Sequence, residues 1–308
     1  MELVLAHALP PPEMAASLGQ ALAGRHPELI DWFKSRQAEH STWSIASHGC
    51  TAIEGLRIQS LGFEPQGAMR LGAALAPLLA GIEDGDEPIW LATLCSTQIR
   101  QEGATLIAQD FLDITDEQRA ALTEAAAPYF EAAGDGIRIQ ALANGQWRVW
   151  GPWPADSHIL TPNALLGRDL GDWWPTQSHW RDWRKRVNEL QMIWHEHPVN
   201  EQRQAQGLLP VNTIWLHGGA PGFKPVTHRQ QAWLDDLEAA GIKQDWASWL
   251  DRWQALVPRL CQTPQDQVVR LVGQDRIVLL QPSRPSWWQR VTGQQPKQDW
   301  SQWWNNPN

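Results

Sequence analysis

The chain is short of every aromatic but one and of sulfur: its 308 residues include 1 Tyr, 5 Phe, 4 Met and 3 Cys. The cysteines, Cys50, Cys95 and Cys261, are widely spaced and odd in number. That excludes a disulfide framework and a zinc-site spacing and reads as free thiols in a reducing cytosol. No apolar run approaches the roughly 18 residues of a membrane span. The run Leu3-Val4-Leu5-Ala6 is short, lacks a basic flank and meets Pro10-Pro11-Pro12, which speaks against a secretory signal. Basic surplus is also missing, since 25 Lys and Arg face 34 Asp and Glu for a net charge of −9. A nucleic-acid binder needs clustered cations that release counterions. The expectation is a cytoplasmic protein with no nucleic-acid and no membrane partner.

What is abundant is tryptophan. There are 21, of which 18 lie between Trp147 and Trp304. Large apolar anchors in a core or partner interface explain indoles more simply than ring stacking on a ligand does, even for the adjacent pairs at 173/174, 287/288 and 303/304.

Along the chain, residues 2–9 read as a buried strand stopped by prolines, and Glu13 to Phe33 as helix with a break at Pro27. A helical stretch from about Gln66 to Leu79 precedes strands at Ile89-Trp90-Leu91-Ala92 and Thr105-Leu106-Ile107-Ala108. Thr115 to Gln118 has the spacing of a capping box that opens a helix to about Ala132. Asp135-Gly136 is a turn signal, and Asn144-Gly145 between Ile137–Ala141 and Gln146–Trp150 is a strong hairpin signal because both residues tolerate positive φ. Further on, the spacing predicts helices over Gln177–His195, Arg229–Ala240 and Asp245–Leu256. Strands are expected over Val211–Leu216, ending at Gly218-Gly219, and over Gln267–Val272 and Arg276–Leu280. The last twenty-odd residues show no pattern, and there is no internal repeat.

Candidate chemistry concentrates at 188–219. His195-Glu196-His197 invites a metal reading, but helical residues two apart point to different sides, and a zinc helix spaces its histidines by four. Pro198 biases His197 out of helical angles, so a helix terminus is the simpler reading. Asn200 and Arg203 suit an anion through amide and guanidinium donors; a helix cap and a structural ion pair suit them equally. Leu216 to Gly222 offers backbone for a ligand or for a strand-to-helix turn, without a P-loop's lysine. Ser47-His48-Gly49-Cys50-Thr51 sets nucleophile types beside a histidine, but sequence adjacency is not catalytic geometry.

The stretch NELQMIWHEHPVNEQRQAQGLLPVNTIWLHGG (188–219) resembles the signature of the bacterial RpfE-type regulatory proteins. It is also similar to the archaeal-type, cofactor-independent phosphoglycerate mutases of the alkaline-phosphatase superfamily. LGFEPQGAMRLGAALA, LATLCSTQIRQEGATLIAQDFLDITDEQRAAL and TPNALLGRDLGDWWP extend the resemblance more loosely to about residues 60–225. The resemblance implies a reduced three-layer α/β scaffold with a smaller α+β insert. Residues 1–84 would form the N-terminal part of the core, 85–175 the insert-like region, 176–282 the C-terminal part of the core, and 283–308 a Trp/Gln/Pro-rich tail.

The departures from those mutases concern function. Their first strand ends in a metal-binding Asp-Gly; here it ends in His7-Ala8-Leu9-Pro10. Their phosphorylated nucleophile lies in a Ser-rich turn whose pattern is absent around Ser44, Ser47 and Thr51. Beyond Phe223 this chain has one histidine, His228, and no Asp-His step. Two-metal phosphoryl transfer needs those ligands. The implied function is therefore a non-catalytic regulatory or binding protein without metal or cofactor. It would recognise a small anionic metabolite, or a protein partner or second copy through the Trp-rich C-terminal half. Asn200, Arg203, Asn212 and His217 are the candidate ligand contacts. The alternative is an active mutase or phosphatase with a rearranged metal site.

Overall fold

A computed structural model describes residues 2–100, 103–131, 134, 136–154, 159–226, 231–264, 266–282 and 299–305. The fold is mixed α/β with two sheets, and the chain divides into two compact units. One comprises Met1–Ser44, Thr51–Ser60 and Thr227–Asn308, the other Ile45–Cys50 and Leu61–Val226.

The first unit is built on β1 (Glu2–Leu5), which runs parallel to β8 (Gln231–Leu234) on one side and to β9 (Val268–Val272) on the other. The β1 run Leu3-Val4-Leu5, with Val4 and Leu5 buried, fits a strand flanked on both sides by parallel neighbours. β10 (Arg276–Pro282) returns antiparallel to β9, and β2 (Arg36–Thr42) pairs with β10 at the edge. Two helices follow β1, α1 (Pro12–Arg25) and α2 (Pro27–Lys34). Each opens with a proline, whose fixed φ and missing N–H suit a first turn. The expected break at Pro27 is there.

α4 (Ala52–Ser60) starts in a capping box: Thr51 N and Oγ1 donate to Glu54 Oε2 at 2.9 and 3.0 Å, and Glu54 N donates back to Thr51 Oγ1 at 3.2 Å. The preceding short helix α3 (Ile45–His48) belongs to the second unit.

The expected helix over 229–240, whose first two residues lie outside the described ones, is instead β8 followed by the short helix α9 (Glu238–Ile242). Pairing of β8 with β1, some 230 residues away, overrides a weak local 3.6-residue period. α10 (Trp246–Cys261) begins at Asp245, whose carboxylate accepts from Ser248 N at 3.1 Å.

The tail, expected to lack pattern, contains α11 (Trp300–Asn305). Trp303 and Trp304 are buried in the core with Leu22, Phe33, Trp249 and Trp253. Gly19 makes this possible, because a Cβ there would lie 2.7 Å from Trp304 Nε1. Trp287 and Trp288 lie outside the described residues.

The second unit centres on β3 (Ile89–Arg100). One edge pairs with β7 (Thr213–Ala220), and the other pairs first with β6 (Trp147–Trp150) and then with β4 (Gly103–Ala108). β5 (Arg138–Ala141) and β6 form the hairpin expected at Asn144-Gly145, closed by Leu142 N donating to Gln146 O at 2.8 Å; Asp135 of the expected turn lies outside the described residues. β7 pairs with β3, and residues up to 226 share a compact unit with 85–175. β7 also continues through Gly218-Gly219, where a turn was expected, with an irregularity in its pairing to Ile89 and Trp90 of β3 at that point. A Cβ on Gly218 would lie 2.4 Å from Ala76 Cβ, so the glycine admits α5 (Leu75–Ala80) against the sheet.

α6 (Asp116–Glu131) starts with the expected capping box, Gln118 N to Thr115 Oγ1 at 3.2 Å and Thr115 N to Gln118 Oε1 at 3.3 Å. On the sheet face opposite Ile89 and Leu91, α7 (Arg181–His195) packs Trp183 and Trp194 into an aromatic cluster with Trp90, Trp147, Trp153, Trp180 and Phe130. Among the described residues no helix is long and apolar enough to cross a membrane.

Candidate functional site

The signature stretch forms the corner where α7 passes into α8 (Pro198–Ala205) and on to β7. α7 ends at His195, and His197 is the N-cap of α8, its Nδ1 accepting from Val199 N at 3.2 Å. The histidine pair therefore sits at a helix junction, as the proline spacing implied.

Asn200 is buried on α8. Its Nδ2 donates to Trp194 O at 2.7 Å and Val211 O at 2.8 Å, and its Oδ1 accepts from Val211 N at 2.8 Å. One amide thus ties the end of α7 to the entry of β7. Arg203 is 0% exposed. Its Nε donates to Leu209 O at 2.8 Å, one terminal nitrogen to Gln118 Oε1 at 2.8 Å and to Asp113 O at 3.5 Å, and the other to Leu112 O. Burial lowers its pKa, an effect that Asp113 opposes. Among the described residues Asn200 caps no following helix and Arg203 makes no ion pair; they hold backbone and the Gln118 amide.

Asn212 extends the strand ladder with its side chain. Its Oδ1 accepts from Thr97 N at 2.7 Å and its Nδ2 donates to Thr97 O at 3.0 Å. His217 lies in the sheet interior, 0% exposed, with Nε2 at 3.2 Å from Thr93 Oγ1, which accepts from Gln146 Nε2 at 3.0 Å. If the Thr93 proton points at Nε2, the ring proton sits on Nδ1, which has no hydrogen-bond partner among the described residues. Burial pushes the His217 pKa down to about 3, so the ring is neutral.

The four residues do not converge on one cavity. Asn200 and Arg203 frame the corner, His217 is sealed in the sheet, and only Asn212 reaches an open depression of about 550 Å³. Asn188, Gln191, Met192, His195 and Glu196 line the rest of it. The first four are on the outward face of α7, whose inward face buries Trp183, Val187, Leu190 and Trp194, and Glu196 is its C-cap. The lining offers amides, an imidazole, one carboxylate and a thioether, a set suited to uncharged polar groups.

A second constellation was not singled out in the sequence. In α/β sheets, ligands sit beyond the carboxyl ends of the parallel strands. Beyond β1 and β8, Arg57 donates to Asp235 Oδ1 at 2.7 Å and to Glu238 at 2.9 and 3.2 Å, and its guanidinium stacks 5.1 Å over the Trp233 ring. Burial would lower the Arg57 pKa, but the bonds and charges of Glu238 and Asp235 outweigh it and raise the value.

His7 follows β1 with φ 56°, and a Cβ on Gly241 of α9 would lie 2.6 Å from His7 Cβ. Its pKa falls to about 4 through burial; Glu238 opposes the shift and Arg57 adds to it. The sequence signal was the Asp235-Asp236 step after an apolar run, and it is legible only if that run is taken as a strand.

No known protein-family model matches this chain, and no curated protein matches it. Among solved structures, a cofactor-independent phosphoglycerate mutase from Thermoplasma acidophilum DSM 1728 aligns over 91% of this chain and 89% of its own. The identity is 13% and the TM-score 0.32. The PH0037 protein from Pyrococcus horikoshii aligns over 91% and 87%, at 11% identity and a TM-score of 0.40. Likenesses this distant carry no functional weight.

Proposed function

We propose that the chain is a non-catalytic, phosphoglycerate-mutase-like protein of the cytoplasm that works by binding, in a regulatory role. The observation that carries this reading is Arg57. At the carboxyl ends of β1 and β8, its guanidinium is bonded to both Asp235 and Glu238. A fixed cation between two carboxylates neutralises the charge that would draw a divalent metal.

In this reading Asn200, Arg203 and His217 are the frame of the signature corner, and Asn212 is its ligand contact. The depression beside α7 accepts the uncharged polar part of a small metabolite or the backbone of a partner's loop. Anionic groups of a metabolite need a cation from elsewhere, because Arg203 is enclosed.

One observation favours the alternative, an active mutase or phosphatase with a rearranged site. His7 adopts a positive φ beside Glu238, and unusual backbone angles concentrate at functional sites. An assay separates the two readings. With Mn²⁺ or Zn²⁺ supplied, the purified protein is expected to form no 2-phosphoglycerate from 3-phosphoglycerate and to release no phosphate above the metal-only control. Turnover that Asp235→Asn abolishes establishes the alternative.

A further inference from the structure

On the β5–β6 hairpin, Arg138 is the direct cross-strand partner of Trp150, and Gln140 faces Arg148. Strand alternation puts all four side chains on one face, with Arg138 and Gln140 exposed and Arg148 and Trp150 half-buried. The Arg138 guanidinium lies 4.7 Å from the centroid of the Trp150 ring and that of Arg148 lies 4.8 Å from it. Both cations are held against one indole, within reach of a single small ligand.

Neither guanidinium makes a hydrogen bond or ion pair among the described residues, and Arg148 Nε is buried without an acceptor. Elsewhere Arg25, Arg57, Arg119, Arg259 and Arg270 each pair with a carboxylate. In a chain of net charge −9, two adjacent unpaired arginines run against the local electrostatics, since like charges on neighbouring strands repel. Burial lowers the Arg148 pKa; nearby Glu87 opposes this and Arg138 adds to it. Contact with the indole holds each guanidinium in place without using its N–H groups, which match the paired oxygens of a phosphate or carboxylate.

We propose that the Arg138–Trp150–Arg148 face is a binding site for a small molecule carrying two anionic groups, phosphate or carboxylate, one for each guanidinium. The inference rests on the binding reading above and places its anion contact on residues outside the signature stretch. Gln140 adds an amide beside Arg148, and Trp150 sets the spacing between the two anionic groups.

Calorimetric titration of the full chain at low ionic strength with inorganic pyrophosphate, citrate and orthophosphate tests it. The expected result is saturable one-to-one binding of pyrophosphate or citrate, weaker binding of orthophosphate, and at least a tenfold loss of affinity in Arg138→Gln and in Arg148→Gln. Arg252→Gln, in the other unit, retains full affinity. Preference between pyrophosphate and citrate identifies the oxyanion. No saturable binding of any probe, or wild-type affinity in Arg138→Gln, overturns the site; that residue is exposed, so its loss leaves the fold intact. Turnover of 3-phosphoglycerate would remove the non-catalytic reading and leave this site standing, so the two failures are separate.

Discussion

Tryptophan as the main aromatic carries a polar N–H into the core with every ring, and each buried N–H needs an acceptor. The chain supplies some of them from backbone: Trp194 donates to Leu122 O, Trp215 to Leu160 O, Trp249 to His7 O and Trp304 to Ala15 O, all within 3.1 Å, whereas the buried indoles of Trp32, Trp90 and Trp253 have no acceptor among the described residues. The indole excess is thus largely a packing feature, including part of the tail that the sequence suggested as a partner surface.

Asn200 and Arg203 of the signature obey the same rule. Removing the Arg203 side chain strands the Leu112 and Leu209 carbonyls and Gln118 in a buried corner. Arg203→Ala is therefore expected to lower stability by about 3 kcal/mol, read by urea denaturation; a loss below about 1 kcal/mol would show that the guanidinium does not hold the corner.

His217 and His7 both have folded pKa values below the ordinary 6.5, at about 3 and about 4. Between those values and 6.5 the unfolded chain binds more protons, so stability rises with pH there and is fully present above about 6.5. As pH falls from 6.5 toward 4, His217 alone removes up to about 1.4 kcal/mol per pH unit, and His7 acts in the same direction. Denaturation at pH 7, 6, 5 and 4 should show this decline, shallower in His217→Gln; an unchanged slope in that variant would contradict neutral burial of the ring.

At the level of elements, what was legible was local. The Thr115–Gln118 capping box, the Asn144-Gly145 hairpin and the Pro27 break each depend on a few adjacent residues, and each is where the sequence set it. What was not legible depends on distant pairing. β8 is a strand because β1 lies beside it, and Gly218 stays in strand because Ala76 approaches it. Arg57 meets Asp235 across 178 residues of sequence, with no spacing to announce it.

α11 belongs to the same class, a six-residue helix too short to be stable alone and held by its indoles. Trp304 is fully buried against Gly19, Phe33 and Trp249, so Trp304→Ala should cost about 3–5 kcal/mol. Arg276 would also lose order in its bond to the Trp304 carbonyl. A cost near zero in the same denaturation measurement would make α11 peripheral to the first unit.

For the whole molecule, the resemblance to phosphoglycerate mutases placed the interest of the chain at 188–219, and the geometry distributes that interest differently. The signature corner is mostly frame, with Asn212 alone at an open depression. The carboxyl ends of the parallel strands hold a closed ion-pair cluster around Arg57. Two cations with no hydrogen bond or ion pair among the described residues stand on the β5–β6 hairpin. Sequence could supply the residue types at all three places, but not which of their polar groups were already bonded within the protein, and that difference decides what each can recognise.

Binding without turnover is open to one direct experiment. The isotopically labelled full chain is mixed with 3-phosphoglycerate and Mn²⁺, aliquots stripped of metal with a chelator are followed by phosphorus NMR, and a parallel Mg²⁺ sample gives protein chemical shifts. Unchanged phosphoglycerate signals over days are expected, with protein shifts at Arg138, Arg148 and Trp150 and none at His7 or Arg57. A growing 2-phosphoglycerate or inorganic phosphate signal, with shifts centred on His7, Arg57, Asp235 and Glu238, would contradict it.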